Sequence, residues 1–81
     1  MPKFHLHIRD GDAMIRDEEG QEFVDAAEAR VEAEAAVREI LATVLTGNPP
    51  RFIRTIQLAD DEGKVVVTIS MKVETTITEP P

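Results

Sequence analysis

The spacing of apolar residues changes twice along this chain, and that change limits the fold more than any single motif does. Near the start, Phe4, Leu6 and Ile8 alternate with His5, His7 and Arg9. A period of two puts the apolar set on one face of a half-buried strand. Further on the spacing lengthens. Ala26, Ala29, Ala33, Ala36, Val37, Ile40, Leu41 and Val44 recur at three and four, which is the single stripe of an amphipathic helix. After Pro49-Pro50 the period returns to two. Phe52, Ile56 and Leu58 share one parity, interrupted by Arg54, which is expected near the start of its strand. Val65, Val67, Ile69, Met71 and Val73 then line one face of a last long strand, and Val66, Thr68, Ser70, Lys72 and Glu74 take the other.

The punctuation between these runs agrees with them. Asp10-Gly11-Asp12 is a tight turn in which Gly11 supplies a positive φ, and Ala13 to Arg16 is a short return strand. Asp17-Glu18-Glu19-Gly20 is a second turn, and Asp60-Asp61-Glu62-Gly63 is a hairpin turn. Asp25 is placed to cap the helix, with Glu28 three residues on and Val24 and Ala29 where a hydrophobic staple would stand. Glu34 and Arg38 form a favourable i,i+4 pair on the outer face. The stripe is small at its start and bulky at its end. The first half of the helix is therefore expected to approach the sheet closely and the second half to carry most of the burial. Gly47 is expected to end the helix in a left-handed cap, with Pro49-Pro50 preventing its resumption.

The expected architecture is α+β, in the order ββαββ: a four-stranded, mainly antiparallel sheet with one helix, about 25–46, packed on one face. With the first strand between the second and third, the sheet order is 2-1-3-4. Residues 1–81 are read as a single domain whose tail, about 75–81, frays. The last strand is then a long, β-branched edge that invites pairing with another chain.

Composition narrows the function. Nine basic against sixteen acidic residues give a net charge of −7. That balance repels a phosphate backbone and an anionic membrane surface, so neither nucleic acid nor membrane is an expected partner. The chain has no cysteine, which fits a reducing cytoplasm and removes thiolate chemistry and cysteine-held zinc. No stretch approaches the roughly 18 apolar residues of a membrane span.

His5 and His7 are the only histidines, and a strand puts both imidazoles on one face. They are the candidate metal ligands, with Asp10 and Asp12 in the next turn as conceivable additions, but a site needs more than two ligands and Arg9 brings a positive charge beside them. The favoured alternative leaves the two rings on a solvated or dimer-buried sheet face, with no metal and no cofactor. The acidic turns lack calcium-loop spacing. Ser70 lies mid-strand, the glycines are isolated, and no group is placed as a catalytic residue. The interior is expected to close without a pocket. The resulting expectation is a protein of unknown function that is not an enzyme: a small, acidic, non-catalytic interaction or regulatory module. It is expected to self-associate as a homodimer through the last long strand or the open sheet face. Two alternatives stand beside it: a metal-binding or catalytic protein using His5 and His7, and an antitoxin-like partner of a basic protein.

The run Met1-Pro2-Lys3-Phe4-His5-Leu6-His7-Ile8-Arg9-Asp10-Gly11-Asp12, followed by Asp17-Glu18-Glu19-Gly20, Asp25 before an Ala/Glu/Arg helix, and Asp60-Asp61-Glu62-Gly63-Lys64-Val65, resembles a family of small bacterial proteins of unknown function common in rhizobia and related alphaproteobacteria. The segment His7-Ile8-Arg9-Asp10-Gly11 is its most recognisable part. The resemblance implies a bacterial, cytoplasmic, stand-alone domain and supplies no activity. The chain is also similar, more distantly, to HicB-type antitoxins in its hairpin, acidic turn and Ala/Glu-rich helix, but it lacks a glycine-rich segment before the helix and a DNA-binding extension.

Overall fold

Each change of apolar period coincides with a change of element in the computed structural model, which describes residues 1–47 and 51–81. The elements are β1 (Lys3–Asp10), β2 (Ala13–Ile15), β3 (Gln21–Glu22), α1 (Ala26–Gly47), β4 (Arg51–Asp60) and β5 (Val65–Glu74). All strand pairs are antiparallel, in the order β2-β1-β4-β5, with β3 also pairing β1. The fold is α+β, and the order of its main strands is the expected one. Two residues are too few to show a period, which is why β3, opposite Lys3 and Phe4, was not expected. The return strand ends at Ile15 rather than Arg16.

Register explains the faces. Leu6 pairs with Leu58, Ile8 with Ile56, Ile56 with Ile69, Leu58 with Val67 and Arg54 with Met71. Opposite residues of an antiparallel pair share a face, so these side chains form one layer under α1. Phe4, Phe23, Ala29 and Leu58 are buried together, with Leu6 and Val67 packed against them. Phe4 and Phe23 rings lie 6.1 Å apart, tilted by 58°. Ile56 is fully buried.

The helix begins as expected. The Glu28 N–H donates to Asp25 Oδ1 at 2.9 Å, which satisfies one of the free donors of the first turn. Val24 is 62% exposed and makes a poor staple; its neighbour Phe23 takes the interior place. Burial along α1 is the reverse of the expectation. Ala29 and Ala33 are each 1% exposed, while Ile40, Leu41 and Val44 are only half-buried. Alanine lets the first turns seat tightly on large side chains. The later turns run toward the start of β4, where Phe52 and Arg54 are themselves half-buried. Glu34 pairs with Arg30, at 3.0 Å, instead of Arg38. One carboxylate lies between two arginines at i−4 and i+4, and Arg38 is left without an ionic partner among the described residues.

Gly47 is the last helical residue, and the positive-φ glycines are Gly11, Gly20 and Gly63, so the expected left-handed cap is not at Gly47. Pro49-Pro50, the expected stop, lies outside the described residues. Arg54 does lie early in its strand, and it is not idle on the apolar face. Its Nη1 meets Asp10 Oδ1 at 2.8 Å and its guanidinium stacks over Phe52 at 4.4 Å.

Candidate functional site

β1 is paired unevenly along its outer edge. β2 takes Ile8 to Asp10 and β3 takes Lys3 and Phe4, which leaves His5 to His7 between them without a strand partner. A side chain fills this gap. Asp17 Oδ2 accepts the Leu6 N–H at 3.1 Å, and Asp17 Oδ1 accepts the Gly20 N–H at 3.0 Å. A carboxylate thus stands where a neighbouring strand's carbonyl would be. The Asp17 backbone is held as well. Its N–H donates to His7 Nδ1 at 3.1 Å, and its carbonyl accepts from His5 Nδ1 at 2.8 Å. The other His5 nitrogen, Nε2, donates to Asp61 Oδ1 at 2.9 Å, across to the β4–β5 hairpin. The two imidazoles stack, with centroids 6.1 Å apart and planes 14° from parallel.

Hydrogen-bond roles assign the protons. A carbonyl and an ionised carboxylate can only accept, so both nitrogens of His5 must donate and the ring is an imidazolium. The bond to Asp61 raises the His5 pKa first, and the Asp17 carbonyl adds to it against a small burial cost. His7 Nδ1 accepts an N–H and so carries no proton. Burial pushes the Asp17 carboxyl up, but the N–H donors of Leu6 and Gly20 and the nearby imidazoles outweigh it and hold the group below its ordinary value. Gly20, at φ 72°, completes the arrangement by letting its backbone lie on the His5 ring.

Of the residues singled out in the sequence, His5 and His7 do meet, but Asp10 and Asp12 do not join them. Asp10 sits at the far end of β1 on the helix side, paired with Arg54. The acids that do reach the histidines, Asp17 and Asp61, stand in turns where aspartate is common for backbone reasons alone. Only the register that sets His5 opposite Ala59, just before Asp60-Asp61, brings the hairpin to the ring. As bonded here, neither imidazole offers a metal a free lone pair. His5 donates from both nitrogens, and the one bare nitrogen of His7 is taken by the Asp17 N–H. Among the described residues no three His, Asp or Glu side chains converge in a metal-holding arrangement.

The surface is also less closed than the sequence suggests. An open depression of about 230 Å³ is lined by His5, His7, Asp17, Glu18 and Asp61, among others. A groove of about 170 Å³ runs between α1 and the interrupted edge of β1, over Phe4, Leu6, Phe23 and Ala33. Both follow from the gap between β2 and β3. The acids of the β4–β5 turn are structural: Asp60 Oδ1 accepts the N–H groups of Glu62 and Lys64, at 3.0 and 2.8 Å.

The opposite border of the sheet has no such filling. β5 is its outermost strand, ten residues long, and among the described residues nothing pairs its outer edge. At its start Val66 is an extra residue against β4, since Leu58 pairs with Val67 and Ala59 with Val65. Near its end Lys72 and Glu74 pair with each other at 3.5 Å. Val67 to Met71 lie between without either device.

One helix on a sheet that is plugged at one border and open at the other defines a small α+β domain with no assembled catalytic group among the described residues. The chain belongs to a family described as a domain of unknown function, DUF6894, whose model matches residues 3–72 and so takes in the histidine cluster and most of β5. No curated protein and no solved structure matches it. Among the described residues no helix is long and apolar enough to cross a membrane.

Proposed function

We propose that this protein is a non-catalytic interaction module that binds through the free edge of β5 and self-associates there. The observation that carries this reading is the ten-residue outer strand with an unpaired edge. A row of free backbone donors and acceptors on β-branched residues is a template for a further strand. The titratable groups that come closest to an active site, His5, His7, Asp17 and Asp61, spend their hydrogen bonds on one another and on the backbone. A net charge of −7 argues against nucleic acid as the partner. The absence of cysteine and the family resemblance support a bacterial, cytoplasmic setting.

Light scattering at tens of micromolar, together with hydrogen exchange along β5, tests it. A dimeric mass is expected, with slow exchange at the β5 amides that point away from β4 and loss of that protection on dilution. A monomeric mass with those amides exchanging freely at every concentration would sink the proposal.

A further inference from the structure

We infer that the groove between α1 and the interrupted edge of β1 binds a small organic cation: an apolar body no larger than one ring with a short stem, ending in a protonated amine. The groove lies on the β1 side of the sheet, away from β5, so this inference does not depend on self-association.

The groove is a consequence of the gap in the sheet. Leu6 packs on the helix side of β1, at the place where that strand has no partner on its outer edge. A neighbouring strand would set an apolar side chain beside Leu6 on the same face. The chain sets Asp17 there instead, with its carboxylate on the Leu6 N–H. Leu6 is therefore only half-buried although it touches the core. The helix does not fill the space from above. It turns Ala29, Ala33 and Ala36 to this side, at i, i+4 and i+7, so only methyl groups project into it. Phe4, Phe23 and Leu58 supply the remaining apolar lining, and the space left is about 170 Å³. An apolar cavity of about 150 Å³ accommodates one benzene ring.

The polar lining chooses the charge. It consists of Asp17, Glu32 and Gln21, two acids and an amide, and no basic side chain lines the groove among the described residues. Glu32 is exposed and has no ionic partner among the described residues. Each Asp17 carboxylate oxygen accepts one N–H and keeps a second lone pair for a further donor. The His5 imidazolium is bonded to the Asp17 carbonyl rather than to its carboxylate, and His5 projects from the face of β1 opposite Leu6. An anion is repelled by this lining and by the net charge of −7. A neutral ligand fills the apolar part and leaves both carboxylates unpaired. An ammonium group on a ring meets both demands, with its body over Leu6 and its N–H donors toward the acids.

NMR titration of the full-length chain at pH 7 tests this with 2-phenylethylamine, 2-phenylethanol and 3-phenylpropanoate, which share one ring and differ in charge. The amine should bind with a dissociation constant of about 10 mM or lower and shift the signals of Leu6, Ala33 and Ala36. The alcohol should bind about fivefold more weakly, and the carboxylate more weakly still. Glu32→Gln, an exposed change that leaves the interior intact, should weaken the amine about threefold and leave the alcohol unaffected. Ala36→Leu places a larger side chain in the groove and should weaken both by about tenfold. An alcohol that binds as tightly as the amine overturns the cation and leaves a plain apolar cavity. Amine-induced shifts confined to exposed acids away from Leu6 and Ala36 mean surface ion pairing only and overturn the site. So does the absence of any shift at those residues with all three probes.

Discussion

His5 fastens two acidic turns that are far apart in the chain, and its charge is what lets it do so. Folding gains from that charge wherever the imidazolium is present. Because its pKa is raised above the ordinary 6.5, the contribution is complete below that value and is lost as pH rises through the raised one. Asp17 has the opposite sign: its pKa is lowered from 3.8, so its contribution is present above that value and fades as pH falls through the lowered one. Urea midpoints measured from pH 3 to 9 should therefore be highest between about 4 and 6.5, and His5→Gln should flatten the alkaline fall. An alkaline limb unchanged in that variant would mean that the clasp contributes nothing. Two substitutions probe the same place without titration. A Cβ at Gly20 would lie 2.8 Å from His5 Cε1, at a φ of 72°, so Gly20→Ala should cost about 1–3 kcal/mol in chemical denaturation. Asp17→Ala leaves the Leu6 and Gly20 N–H groups without their acceptor and should cost a similar amount, about 1–3 kcal/mol.

At the scale of elements, the helix is tighter where its side chains are smaller. Ala33 is 1% exposed where the helix seats closest to the sheet, and a larger side chain there must displace its neighbours before it reaches the adjoining groove, so Ala33→Leu should destabilise by about 1–3 kcal/mol through overpacking. Ile40 is half-buried, so Ile40→Ala should cost no more than about 2 kcal/mol, the low end for such truncations. Unfolding midpoints of the two variants compare these directly; a larger loss from Ile40→Ala would restore the burial order that the size gradient of the stripe suggests. The sheet order, the helix start and the strand parities, except at Val65, were legible because they depend on local periodicity and on a capping residue three positions from its donor; the bulge at Val66 sets Val65 opposite Ala59 and so turns it to the face away from Val67. The burial gradient was not, because it depends on which sheet residues lie below each turn. Asp17 and Asp61 were hidden for the same reason. Each is an ordinary turn residue until strand pairing brings it to His5. β3 and the Val66 bulge are visible only from the partner strand.

The whole molecule is long for its size. Its radius of gyration is 15.3 Å and its extents are 60 × 24 × 17 Å, whereas a compact chain of this length would have a radius near 12 Å. A single thin layer of helix over a single sheet buries little per residue, and small domains draw on partners for the remainder. If copies associate through β5, heat resistance follows mass action: the thermal midpoint should rise by a few degrees over a hundredfold increase in protein concentration. A midpoint independent of concentration would mean that folding and association are separate. The two borders of the sheet also differ in what they permit. Along β1 the Leu6 amide is already occupied by Asp17, and β2 offers only three residues. A strand arriving on that side finds no continuous ladder to extend. Two copies joined at β5 would show only these sealed sides to the solution, so growth would halt at the pair and no ribbon would form.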